Sequence, residues 1–206
     1  MTIRLANISE AEIGRINDIY NESAMLKFLT ADMQPTTLTD RIKWLLSYNQ
    51  TEYPVYVAVD NYKVVGWISV RPYREGRAAL RFTKEVSYYV SHDYLGKGVG
   101  TQLMNHVLSQ APGLLIKNLI AIVLEKNEAS IKLLEKFNFR QWGFLPGVAD
   151  FNGEVCGHLY YGREIGSNHF DELNSSSAHD RPEWPSQQTL QSSPKNTNRQ
   201  RQFFFV

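Results

Sequence analysis

The sequence predicts an α/β (α+β) chain: one domain over residues 1–165 with a mixed sheet flanked by helices, then a disordered tail over 166–206. Three observations predict it. Apolar residues recur in blocks of strand and helix spacing, in the order strand, two helices, three strands, helix, strand, helix, two strands. Leu119–Leu124 is an unbroken apolar run, as in a strand buried on both faces. Finally, a strand pattern ending at Val90 runs through glycines at 96, 98 and 100 straight into an amphipathic helix.

Each element has its own signal. Thr2–Ala6 reads as a first strand. Ser9 with Glu12 reads as a capping box, opening a helix with Ile13, Ile16, Ile19 and Tyr20 on its apolar face. Asn21–Gln34 reads as irregular, and Thr39 and Asp40 open a second helix with Trp44, Leu45 and Leu46. Val55–Val59 and Val64–Val70 form a hairpin across Asp60-Asn61-Tyr62-Lys63, whose Asn and Asp tolerate turn geometry. Leu80–Val90 is a long strand with Leu80, Phe82, Val86 and Tyr88 on one face and Thr83, Glu85, Ser87 and Tyr89 on the other. The glycine turn and a helix with Val99, Leu103, Met104 and Val107 follow. Asn127–Phe137 is a helix with Ile131, Leu134 and Phe137 inward. Phe139–Leu145 and Val155–Tyr161 are the last strands, separated by a loop holding Asn152-Gly153. From Gly166 on, Ser, Asn, Gln, Pro and Arg dominate and periodicity vanishes, the composition of disorder.

Composition excludes several classes. The 206 residues can bury a sizeable core, with 43% hydrophobic and 12% aromatic residues. A net charge of +1 with no basic block argues against nucleic acid and anionic membrane as partners. A lone cysteine, Cys156, excludes an internal disulfide. The N-terminus lacks a signal-peptide pattern and no apolar run reaches membrane-spanning length, so the cytoplasm is expected. The five histidines show no metal-ligand spacing, and no metal is expected.

The glycine turn carries chemistry. Glycines permit positive φ and close backbone approach. Row after row of backbone N–H at the start of the next helix makes an anion site, suited to a phosphate or pyrophosphate. The spacing is neither that of nucleoside-triphosphate loops nor a clean dinucleotide fingerprint. From the spacing alone, a plain glycine turn capping a helix is equally good.

With its flanks, this stretch resembles the pyrophosphate loop of the GNAT superfamily of acyl-CoA-dependent N-acetyltransferases. Gly98 and Gly100 match the two small positions, and Leu95 stands where the family usually has Arg or Gln. Pro72-Tyr73-Arg74, Arg77 and the run Thr83-x-Glu85-x-Ser87-x-Tyr89-Val90 resemble the phosphinothricin N-acetyltransferase branch. So do Tyr20, Pro35, Arg41 and Trp44 upstream. Departures are an extra Gly76, Leu80 for Tyr, Leu134 for His or Tyr, and Gly157 for Asp.

The resemblance implies a mostly antiparallel sheet that splays after its fourth strand, with the pantetheine of acetyl-CoA lying in the gap. It implies that the co-substrate meets Tyr88, Tyr89 and Val90, the loop Gly96, Lys97, Gly98, Val99, Gly100 and Thr101, and Asn127 with Ser130. Helix capping is the commoner use of those last two residues. Glu85 is the expected general base: only a neutral amine attacks a thioester, and a partly buried carboxylate can take the ammonium proton. Spacing alone would leave Glu85 a solvated, paired strand residue. A backbone N–H near Tyr89 or Val90, where the strand is expected to bulge, would hold the oxyanion. Tyr73, Arg74 and Arg77 are expected at the acceptor, because guanidinium forks suit anionic groups; a solvated strand end is the alternative.

The resulting expectation is acetyl transfer from acetyl-CoA to the primary amine of a small molecule, an amino acid or analogue of the phosphinothricin or methionine sulfone type. The mechanism is direct attack in a ternary complex. The rivals are a GNAT enzyme for a protein N-terminus, polyamine or aminoglycoside, and a non-catalytic acyl-CoA-binding sensor. The branch implies a homodimer.

Overall fold

The structure is a computed structural model, and it describes residues 1–47 and 49–166. The expected tail therefore lies outside the described residues, Gly166 apart. The elements are β1 (Thr2–Leu5), α1 (Glu10–Ala24), α2 (Leu38–Leu46), β2 (Val55–Asp60), β3 (Lys63–Pro72), β4 (Thr83–Val90), α3 (Val99–Gln110), β5 (Asn118–Leu124), α4 (Glu128–Lys136), β6 (Arg140–Phe151) and β7 (Glu154–Glu164). Short 3₁₀ turns at Ala78–Leu80 and His92–Tyr94 flank β4. The strands form a seven-stranded sheet ordered β1-β2-β3-β4-β5-β7-β6. Every neighbouring pair is antiparallel except β4 with β5.

Strand alternation sorts the sheet into two faces. On one, Ile68, Val70, Val86 and Leu119 meet Leu103, Met104 and Val107 of α3 and Leu134 of α4. On the other, Val57 and Trp67 meet Ile13, Ile16 and Ile19 of α1 and Leu45 of α2. Trp67 is 1% exposed, and its indole N–H donates to the Ile16 carbonyl at 3.0 Å, so burial of the ring leaves no orphan donor.

The element order matches the expectation; several boundaries do not. Ser9 caps α1, but Glu12 does not close a capping box. Its carboxylate accepts from the Asn7 N–H at 2.7 Å and from the Arg4 guanidinium at 2.8 and 2.6 Å instead. The helix continues through Asn21 to Ala24, because Asn17 and Asn21 pin a neighbour and do not break the helix: both donate to the Thr36 carbonyl at 3.0 Å. Thr37, not Thr39, caps α2. Leu80 is not in β4. The β3–β4 ladder ends at the pair Pro72–Lys84, and proline offers no N–H to extend it. Asn152 and Gly153 form a two-residue turn at φ 58° and 94°, so β6 and β7 run right up to it.

One feature of the sheet positions everything below. β4 and β5 pair only at Thr83–Asn118, Lys84–Leu119 and Glu85–Ile120. Beyond Glu85, β4 keeps its partner β3 while β5 keeps β7, and the sheet forks. Ile122 and Val123, expected to be buried on both faces, are half-buried because they border the opening. Tyr88 stands in it, its hydroxyl donating to the Ser130 carbonyl of α4 at 3.3 Å. The expected bulge at Tyr89 and Val90 is absent: the β3–β4 register is unbroken from Gly66–Val90 to Pro72–Lys84.

Helix α3 is seated closely on β3 at Gly66. A Cβ there would lie 2.9 Å from a Val99 methyl, 3.1 Å from the Tyr89 carbonyl oxygen and 3.4 Å from Leu103. Gly66→Ala is expected to cost about 1–3 kcal/mol from overpacking against backbone, read as a lower urea midpoint with unchanged m-value.

Candidate active site

Two clefts flank the fork. The first, about 510 Å³, is walled by the end of β4, the start of α3 and the first turns of α4. Of the residues expected there, Tyr88, Tyr89, Val90, Gly96, Gly98, Val99, Gly100, Thr101, Asn127 and Ser130 line it. Lys97 is not in the wall; its ammonium sits 4.9 Å from the centre of the Tyr94 ring. Gly98 is the N-cap of α3, left-handed at φ 80°, and no side chain caps this helix. The first-turn N–H groups therefore face the cleft without a competing side-chain acceptor. Asn127 caps α4, its side chain accepting from the Ser130 N–H at 3.1 Å, so capping and lining the cleft coincide. Lys132 and Lys136 add positive charge to the wall, and Lys136 donates to the Thr101 hydroxyl at 3.4 Å. The sequence reading missed both lysines, since helix spacing alone puts them on a solvated face. Leu26 and Leu29, from the segment between α1 and α2, give the cleft an apolar side.

The second cleft, about 310 Å³, lies under α1 and α2. Its floor is a cross-strand ladder of β3 and β4. Trp67 pairs with Tyr89, and their ring centres are 4.7 Å apart. Ser69 pairs with Ser87. Arg71 pairs with Glu85, with a guanidinium nitrogen 3.9 Å from the carboxylate. The roof brings Tyr20, Asp32, Thr36, Asp40, Arg41 and Trp44. Arg41 is 6% exposed and spans the roof: Nε donates to Asn17 and Nη2 to Thr36, both at 3.2 Å, while its guanidinium carbon lies 4.2 Å from the Tyr20 ring centre. The Tyr20 hydroxyl donates to Asp32 and lies 3.0 Å from the Thr30 hydroxyl. Tyr89 lines both clefts and is where they adjoin.

Glu85 sits on the same strand face as Ser87 and Tyr89, at the last residue before the fork. Its side chain is 21% exposed and stands beside the second cleft, outside the wall proper. Burial pushes its pKa above the ordinary carboxylate value, and the Arg71 and Arg74 cations oppose that rise. Burial likewise pushes Tyr88 up to about 12 and raises Tyr89, so both hydroxyls keep their protons at neutral pH.

Tyr73, Arg74 and Arg77 line neither cleft. The Arg74 guanidinium stacks 4.9 Å from the Tyr73 ring centre, and Arg77 precedes an exposed 3₁₀ turn. Arg71 is the arginine that the floor strands bring to the second cleft, and alternation with Trp67 and Ser69 was the signal for it. Leu134 is fully buried in the core, so the residue replacing His or Tyr here packs and does not face the cleft. At Gly157, a Cβ would fall 2.3 Å from the Phe144 ring, which fills the space a larger residue would need. Cys156 is buried against Leu124 and Phe151. Among the described residues no His, Cys, Asp and Glu cluster of three or more is placed to hold a metal, and no helix is long and apolar enough to cross a membrane.

Comparison with known proteins agrees with this geometry. The acetyltransferase (GNAT) family profile matches residues 15–139. A Bacillus subtilis protein provisionally named phosphinothricin acetyltransferase YwnH is 39% identical over 166 residues, 80% of this chain and 99% of the relative. An L-methionine sulfoximine/L-methionine sulfone acetyltransferase of Salmonella typhimurium is 28% identical over 148 residues, 72% of this chain and 85% of the relative. The crystal structure of a GNAT superfamily phosphinothricin acetyltransferase from Sinorhizobium meliloti in complex with AcCoA superposes with a TM-score of 0.74. It is 25% identical and covers 81% of this chain and 89% of its own.

A side chain at Gly98 would be forced into left-handed backbone at the mouth of the first cleft. Gly98→Val is expected to weaken coenzyme A binding about tenfold or more by calorimetry, with secondary structure retained by circular dichroism.

Proposed function

Because the chain belongs to the GNAT family of acetyl-CoA-dependent N-acetyltransferases, we propose that it acetylates the primary amine of an amino acid or close analogue, of the phosphinothricin or methionine sulfone type. In this reading it acts as a cytoplasmic homodimer, as its resemblance to the branch implies. The observation that carries the proposal is that two chemically different clefts share Tyr89, with a half-buried carboxylate, Glu85, on the same strand face at the fork.

The first cleft fits acetyl-CoA. The uncapped, glycine-lined N-terminus of α3, with Lys132 and Lys136 beside it, suits a pyrophosphate. Past Glu85, the β4 edge turned toward β5 has no strand partner and offers backbone groups to an amide-bearing arm. When bound, acetyl-CoA supplies an electrophilic thioester carbonyl and a thiolate leaving group.

The second cleft holds the acceptor. Trp67 and Tyr89 form its aromatic end, at the junction. Asp32 and Asp40 accompany Arg41 in the roof, and it is the Arg71 guanidinium on the floor that favours a carboxylate-bearing acceptor over a polyamine or aminoglycoside. Glu85 takes the ammonium proton through waters ranged along the second cleft. The neutral amine then forms the new C–N bond. A backbone N–H at Tyr89 or Val90 stabilises the charge that develops on the carbonyl oxygen.

Glu85→Gln is expected to lower kcat/KM about 100-fold or more, measured as free thiol released with a panel of amino acids. An unchanged rate removes Glu85 from this role. The same variant is expected to melt higher than the parent at pH 8. A carboxylate whose folded pKa is raised loses folding stability as pH climbs from its unfolded to its folded value, and the amide avoids that loss. For the parent, kcat/KM is expected to rise with pH along a limb above the ordinary carboxylate range. Arg71→Met removes a cation that lowers the Glu85 pKa, so this limb is expected to move to higher pH.

A further inference from the structure

We propose that Ser69 is a specificity-determining contact of the second cleft, its hydroxyl donating a hydrogen bond to the α-carboxylate of an amino-acid acceptor. The inference rests on the reading of that cleft as the acceptor site. Ser69 lines the cleft, is 1% exposed and has no hydrogen-bond partner for its hydroxyl. Buried polar side chains are nearly always paired, so an orphan hydroxyl aimed at a cleft points to a ligand. Among the described residues one other buried side-chain polar atom lacks a partner, Gln50 Nε2, and Gln50 does not line this cleft.

The surroundings say which ligand group is wanted. Several polar groups about the cleft are already engaged: Tyr20 with Thr30 and Asp32, Arg41 with Asn17 and Thr36. Ser69 occupies the middle rung of the floor, between the Trp67–Tyr89 rung at the junction and the Arg71–Glu85 rung. Successive rungs on one strand face are about 7 Å apart. An acceptor whose amine sits between the junction rung and the serine rung has its α-carboxylate, two bonds from the nitrogen, within reach of the serine hydroxyl. There the hydroxyl donates from below while Arg71 supplies positive charge from the side. A carboxylate accepts from both; an amine or a methylene at that position leaves the hydroxyl unpaired. The hydroxyl thus separates α-amino acids from simple amines of the same side group, since leaving a buried donor unpaired is what a mismatched ligand forfeits.

The test is calorimetric titration of the protein saturated with coenzyme A, which binds without turnover. The probes are methionine sulfone and the corresponding amine lacking the carboxylate. The parent is expected to bind the amino acid more tightly than the amine. In Ser69→Ala the amino-acid Kd is expected to rise about 10- to 100-fold, with the amine unchanged. Ser69→Cys, which keeps the volume with a poor donor, is expected to behave alike. Free Ser69→Ala is expected to melt at or above the parent, because it deletes an unsatisfied polar group. Four results would overturn the proposal: no binding of the amino acid to the parent, an unchanged Kd in both variants, equal losses for both probes, or a melting point well below the parent in both variants. Turnover is scored separately. Serine-dependent binding without acetylation of any amine would keep this assignment and sink the acetyl-transfer reading. Acetylation of amino acids with the same KM in Ser69→Ala would do the reverse.

Discussion

The parallel pairing of β4 with β5 lasts three residues, and the arrangement of the site follows from where it stops. Up to Glu85 the sheet is continuous and both strands satisfy their backbone groups on two sides. Past Glu85 each keeps a single partner, so a slot with polar backbone on its β4 edge opens through the middle of the domain. Such an edge is tolerable only if something covers it. Tyr88 and the first turn of α4 cover part, with the Tyr88 hydroxyl on the Ser130 carbonyl. The remainder is the first cleft. A binding slot and the discontinuity in the sheet are one feature.

The two faces of the sheet divide the chemistry. The α3 face ends in an uncapped helix N-terminus flanked by lysines, an environment for phosphate. The α1–α2 face carries the three-rung floor, where aromatic, hydroxyl and charged pairs succeed each other within one strand face. Tyr89 belongs to both clefts, so in the proposed reaction a thioester and an amine meet without either crossing the core. Glu85 owes its raised pKa to the same layout. It is half-buried where the sheet is still continuous, and the Arg71 and Arg74 cations oppose the rise that burial causes. Arg41, stacked on Tyr20 and bonded to Asn17 and Thr36, fixes the roof over that floor.

Much of this was legible in the sequence. Apolar periodicity gave the element order, and the unbroken run at Leu119–Leu124 marked the central strand. The glycines at 96, 98 and 100 marked the turn that leads into α3, because their conformational signal is local. Features that depend on distant partners were not legible. Glu12 looked like half of a capping box until Arg4 and Asn7 claimed it. Asn21 looked like the start of an irregular stretch, but its side chain binds Thr36 and the helix runs on to Ala24. The second cleft was harder still. Tyr73, Arg74 and Arg77 were the arginine-rich candidates, yet Pro72 ends the ladder before them and leaves Arg71 facing the cleft. No local pattern records that the Ser69 hydroxyl lacks a partner. That is a property of everything packed around it.

The most direct measurement is a crystal structure of the protein with coenzyme A and an amino-acid acceptor. The pantetheine arm is expected in the slot beyond Glu85, bonded to β4 backbone between Val86 and Val90, with its sulfur near Tyr89 and the acceptor amine approaching from the Trp67 side. Coenzyme A bound with its thiol away from the fork, or an acceptor seated outside the cleft floored by Trp67, Ser69 and Arg71, would contradict the assignment of both clefts.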